Sequence, residues 1–116
     1  MVLLYFSAVL MVLTAAIHSA LGEKRLIQPI LRLKSGITTI PLARQVLRFA
    51  WHFTSALMLL SALVVVWPGT PTVLIQVTGV TWFMVGFFDF VCTRGKHIGW
   101  PFISIAGIFA FLGVSL

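Results

Sequence analysis

All ten charged side chains of this 116-residue chain lie in two short regions, Glu23 to Arg48 and Asp89 to Lys96. Residues 1–22 carry no Asp, Glu, Lys or Arg. As a helix that stretch is about 33 Å long, enough to cross a hydrocarbon core. The chain is 60% hydrophobic and only 9% charged, whereas a soluble domain carries about 25% charged residues. A water-soluble fold of this length cannot hide so much apolar surface, because too little of a small domain is interior. The expected class is therefore all-α: an integral membrane four-helix transmembrane bundle forming one domain over residues 1–116.

Spans are expected at about 1–22, 49–67, 72–92 and 97–116, with basic loops at 23–48 and 93–96. Positive charge follows the first apolar run, at Lys24 and Arg25, where a cleavable leader would carry it in front; the first span is expected to be retained. Pro29, Gly36 and Pro41 punctuate the first loop. Its piece LIQPILRL either lies in the interface as an amphipathic turn or prolongs the first helix past a kink at Pro29. Pro41 suits the first turn of the second helix, where its missing N–H costs nothing. Trp67-Pro68-Gly69 closes that helix, and the uncharged linker WPGTP makes spans two and three a hairpin. Trp51 and Trp67 sit where interface anchors sit. The small-residue pairs Ala15/Ser19, Ala16/Ala20, Gly79/Gly86 and Ala106/Ala110 would let neighbouring helices approach closely.

All eight Lys and Arg residues fall in, or at the borders of, the first and third loops. The positive-inside rule then puts both loops in the cytoplasm and both termini outside. So complete a bias argues against a dual-topology exporter or fluoride channel. The first span also lacks the carboxylate that a small multidrug exporter needs for proton coupling. The net charge of +6 flanks apolar runs, so the expected partner is a lipid bilayer with anionic headgroups and not nucleic acid. The single cysteine, Cys92, excludes an intrachain disulfide and any paired-cysteine motif.

The polar residues gather at one level. At 1.5 Å per residue, His18 lies about 7 Å inside the basic surface, His52 about 6 Å and Asp89 about 7 Å; Glu23 and His97 sit at the rim. Arg44, Arg48 and His52 share one helix face through their spacing of four. Intramembrane ionisable groups are costly and default to functional candidates. Imidazole and carboxylate suit zinc, iron, copper or manganese. The leading expectation is a transition-metal site drawn from His18, His52, Asp89, His97 and Glu23. His18 and Glu23, five apart, lie about 140° apart on a regular helix, so they share a centre only if the helix unwinds near Gly22. A haem variant takes His18 and His52 as axial ligands, with Arg44 or Arg48 on the propionates. An anion or lipid-headgroup pocket formed by Arg44, Arg48, Lys24 and Arg25 is a further candidate.

Ordinary structural roles stand beside these. His52 would rest on Trp51 or a backbone carbonyl, Asp89 would pair with Arg48 or Arg44, Glu23 with Lys24 or Arg25, and His97 would cap the last span. The protein is then an accessory or oligomeric membrane subunit, a homo-oligomer or part of a larger complex. A third class is a small ion or proton transporter using the same cluster as a station. No nucleophile–base pair, phosphate loop or paired-carboxylate motif is present, and no substrate or enzymatic activity follows from these residues.

The pieces AIHSALGEKRLIQPILR, LRFAWHFTS and TRGKHIGWP resemble a family of small four-span bacterial inner-membrane proteins of unknown function. The likeness covers most of the chain. It implies the four-span architecture and a bacterial inner membrane, and it carries no catalytic role.

Overall fold

A computed structural model describes residues 1–116. The chain is all helix and turn: α1 (Val2–Gly22), a π-helical turn (Glu23–Ile27), α2 (Gln28–Leu33), a 3₁₀ turn (Gly36–Thr39), α3 (Pro41–Val66), α4 (Thr72–Thr93) and α5 (Trp100–Ser115). α1, the π turn and α2 run on as one 32-residue rod, about 48 Å long at 1.5 Å per residue. That rod, α3 and α4 are each long and apolar enough to cross a membrane; α5 is apolar but shorter.

The helix boundaries follow from local chemistry. Pro29 does not stop the first helix. A proline ring crowds the carbonyl four residues back and supplies no N–H, and here a wide π turn immediately precedes it. Such a turn accommodates a break in the i→i−4 ladder without ending the helix. Of the two readings of LIQPILRL, the prolonged helix is the observed one. It ends at Lys34, whose backbone is left-handed (φ 46°, ψ 48°). α3 opens on Pro41 in its first turn, well ahead of the expected start near residue 49. α4 closes with Arg94 left-handed (φ 54°) and the Gly95 N–H donating to the Phe90 carbonyl at 2.9 Å. This is the six-to-one closure usual at helix C-termini. The last helix starts at Trp100, not His97, because residues 94–99 are used in this turn.

The rods are ordered α3, α1, α5, α4: α1 packs between α3 and α5, α5 packs on α4, and α3 meets α4 only sparsely. Small residues set the close approaches. A Cβ on Gly79 would lie 2.7 Å from the Gly107 carbonyl oxygen, and one on Gly107 would lie 2.5 Å from the Phe83 nitrogen. Side chains larger than hydrogen would therefore drive α4 and α5 apart. Ala15, Gly79, Gly86, Ala106 and Ala110 are buried as expected of contact residues, whereas Ala16 and Ala20 are exposed. That last pair faces away because the neighbouring Ala15/Ser19 face is the one turned to α3. The Ser7 hydroxyl, fully buried, donates to the Ala106 carbonyl at 2.7 Å and ties α1 to α5.

Only 18 of the 116 residues are buried, while Phe49, Phe53, Leu60, Val73, Phe88 and many other large apolar side chains are at least half exposed. A surface so apolar is a liability in water, and it suits residence in lipid.

Candidate functional site

The polar side chains build two separate arrangements at the basic end. The larger joins α1 and the π turn to α3. Ser19 and Glu23, four apart, present one face; Arg48, His52 and Ser55 answer it from α3 at spacings of four and three. Arg48 Nε donates to Glu23 Oε1 at 2.7 Å, and Glu23 Oε2 lies 3.3 Å from His52 Nε2. His52 Nδ1 lies 2.9 Å from Ser19 Oγ, which lies 2.6 Å from Ser55 Oγ. The result is a continuous polar seam, Arg48–Glu23–His52–Ser19–Ser55, running from an exposed guanidinium to a buried hydroxyl. Two proton arrangements satisfy it. A cationic His52 donates at both ring nitrogens, and Ser19 donates onward to Ser55. A neutral His52 keeps its proton on Nε2, and the hydroxyl donors point the other way, from Ser55 to Ser19 to Nδ1.

Beside the seam, His18 and Trp51 clasp one another. Their rings stack with centroids 4.0 Å apart and planes 12° from parallel, and Trp51 Nε1 donates to the His18 carbonyl oxygen at 2.8 Å. His18 Nε2 lies 2.8 Å from Thr54 Oγ1, and the Thr54 hydroxyl itself donates to the Trp51 carbonyl at 2.6 Å. With the Thr54 proton so committed, His18 Nε2 is the donor and its Nδ1 keeps a lone pair. Gly22 makes room for the clasp: a Cβ there would come within 2.5 Å of the indole Cε2 and Cζ2.

The second arrangement is local to the turn between α4 and α5. His97 Nδ1 lies 2.5 Å from Asp89 Oδ2. The Thr93 hydroxyl donates to the Asp89 carbonyl at 2.6 Å, and Phe90 packs on Trp100 with ring centroids 4.6 Å apart. His97 Nε2 has no protein partner.

Several expectations are corrected. It is His18, not His52, that rests on Trp51, so Trp51 is an interhelical packing residue and not a free interface anchor. Glu23 pairs with Arg48 rather than with Lys24 or Arg25, because its position four after Ser19 turns it toward α3. Lys24 and Arg25 point off the seam and are exposed. Asp89 pairs with His97 rather than with Arg44 or Arg48, because α4 stands at the far end of the row from α3. The five proposed metal ligands share one end of the protein. Yet no three His, Cys, Asp or Glu side chains gather as a set able to hold a metal ion. Thr54 and Ser55 were not foreseen and Ser19 only as a small contact residue, although Ser19 stands four from Glu23, Ser55 three from His52 and Thr54 three from Trp51.

Ser19, His52 and Glu23 follow the order of a nucleophile, base and carboxylate. Ser19 lies inside α1, however, so its N–H is bound within the helix and offers no oxyanion donor. Comparison of the chain with protein-family models, with curated proteins and with solved structures returns no match.

Proposed function

We propose that this chain is a multi-pass membrane protein that works as a non-enzymatic accessory subunit, its polar end fastening the helices that present an apolar flank to a partner. One observation carries this reading: both oxygens of Glu23 and both ring nitrogens of His52 are taken by partners on α1 and α3. Groups so committed serve helix contact. The flank left for a partner is the outer side of α3, where Phe49, Phe53 and Leu60 are half exposed or more. The positive-inside rule places the basic connections in the cytoplasm and the termini outside, and a bacterial inner membrane accords with the resemblance noted above. Native mass spectrometry of the chain released from a mild detergent tests the proposal. A discrete oligomer or co-purified partner, with less than roughly a tenth of an equivalent of metal, is the expected outcome. A bare monomer holding stoichiometric metal would overturn it.

A second reading is transition-metal binding, and one observation favours it. His18 Nδ1 and His97 Nε2 are without protein partners, while the opposite nitrogen of each ring is held by Thr54 and by Asp89 respectively. A ligand imidazole is commonly oriented in this way through its other nitrogen. The five-residue set thereby contracts to two imidazoles, with Asp89 as an orienting carboxylate; a tetrahedral site needs further ligands from another chain or from solvent. Loss of bound metal in both His18→Ala and His97→Ala, but not in His52→Ala, would establish it. Haem ligation through Nε2 of His18 and His52 requires both rings to leave their present partners, and a Soret band in the purified protein is its test. The transport reading needs a path beyond Ser55. There the seam stops, and the α1 face continues through Ala15 and Met11, both buried and apolar.

A further inference from the structure

Where α2 turns into α3, two adjoining open clefts of about 400 Å³ each share Pro41 and Arg44. Their cationic walls are Lys34, Arg44 and Arg48. Glu23 has one oxygen on Arg48 and the other on His52, so Arg48 is compensated and the unpaired positive charge of the clefts is that of Lys34 and Arg44. Arg44 is held in place: its Nη1 donates to the Thr38 carbonyl at 3.1 Å and to the Leu31 carbonyl at 2.5 Å. That leaves Nε and Nη2 without protein acceptors. Lys34 has none either, and its left-handed backbone ends α2 beside the cleft. The Thr38 and Thr39 hydroxyls donate to the carbonyls of Ser35 and Gly36, so the cations and the Gln45 amide are the side-chain donors left for an incoming anion.

The same short connection is studded with exposed apolar side chains. Leu33, Ile37, Leu42 and Phe49 are each more than two-thirds exposed. A site for a free anion has no use for such a rim, whereas an anionic lipid presents a phosphate and acyl chains side by side. We infer that the cleft between Lys34 and Arg44 binds the phosphodiester of an anionic phospholipid, with Phe49, five residues deeper along α3 on the wall of the same cleft, facing its acyl chains. Arginine offers planar donor pairs matched to phosphate oxygens, and lysine a point charge. The inference rests on the membrane placement in the proposed function and is independent of the accessory role.

The test uses the full chain in nanodiscs of phosphatidylcholine containing a minor share of phosphatidylglycerol, with lipid retention read by native mass spectrometry. Lys34→Gln and Arg44→Gln are each expected to lower retained phosphatidylglycerol about fivefold, the effect of removing one cation from a lipid surface. Lys96→Gln removes the same charge from the other basic loop and is expected to leave retention within about twofold. Lys34 makes no contact needed for folding, so its variant remains informative if Arg44→Gln unfolds the connection. Equal losses in Lys34→Gln and Lys96→Gln would overturn the site in favour of bulk attraction. Inorganic phosphate displacing the lipid at millimolar concentration, with no preference for phosphatidylglycerol, would overturn the lipid assignment. A chain that does not enter the discs would overturn the membrane placement as well.

Discussion

His18 and Trp51 hold each other through both side chain and backbone: the rings stack at 4.0 Å while the indole N–H donates to the histidine's own carbonyl at 2.8 Å. The carbonyl is a helix acceptor that also receives a side-chain bond, so the α1–α3 crossing is fixed in register as well as in distance. Helix association in lipid gains little from apolar burial, since lipid tails are as apolar as leucine. Register must come from packing and from polar contacts of this kind.

Gly22 is where that crossing is most easily disturbed. Gly22→Ala improves local helix propensity by about 1 kcal/mol, yet its Cβ would overlap the Trp51 ring. We expect net destabilisation of about 1–3 kcal/mol, the usual cost of overpacking. Thermal unfolding in detergent should show a lowered midpoint, and tryptophan emission should shift as Trp51 leaves its place. A raised midpoint would contradict the clasp.

Glu23 and Arg48 are expected to be energetically coupled. Glu23→Gln leaves Arg48 without its carboxylate and His52 without an anionic acceptor, and Arg48→Gln leaves half of Glu23 unpaired. The double variant should therefore be less destabilised than the sum of the two single variants, with a coupling of about 0.5–3 kcal/mol. A double-mutant cycle on unfolding in a mild detergent measures it. Strict additivity would show that the 2.7 Å contact carries no weight.

Ser19→Ala removes the link between His52 and Ser55. Interhelical hydrogen bonds in membranes are worth about 0.6–2 kcal/mol, and a loss in that range is expected from the same unfolding measurement. Ser7→Ala should cost a comparable amount by freeing the Ala106 carbonyl, but through α1 and α5. The two variants should then add, because they act on opposite flanks of α1.

The Asp89–His97 pair is expected to matter locally. Asp89→Asn should loosen the 94–99 turn without altering the α1–α3 seam, since neither Asp89 nor His97 bonds to α3. Limited trypsin digestion reads this directly: cleavage after Arg94 and Lys96 should accelerate, while cleavage after Arg48 should not. Equal acceleration at both would mean that the two ends of the row are coupled.

A topology prediction separates the surfaces. In a Cys92→Ser background, Ser35→Cys and Lys96→Cys should be labelled by an impermeant thiol reagent from the same face of a sealed vesicle, and Gly69→Cys from the other. Opposite labelling of positions 35 and 96 would contradict the antiparallel order of α3 and α4.

The charge-free first 22 residues and the confinement of all ten charges to two regions determine, without any coordinates, that the chain is helical and apolar on its outside, and that its charged side chains and histidines share one end. These are one-dimensional properties: helix rise and the position of a charge along an apolar run need no knowledge of neighbours. Which groups meet at that end was decided by tertiary structure. Glu23 had cations next to it in sequence, yet it reaches across to Arg48, because a helix face and not adjacency selects partners. Asp89 was expected at the depth of His52, one turn from Arg48, but the order α3, α1, α5, α4 puts two helices between α4 and α3. The pattern of spans is silent about which rod packs beside which, and that lateral order split one expected cluster into a seam and a turn.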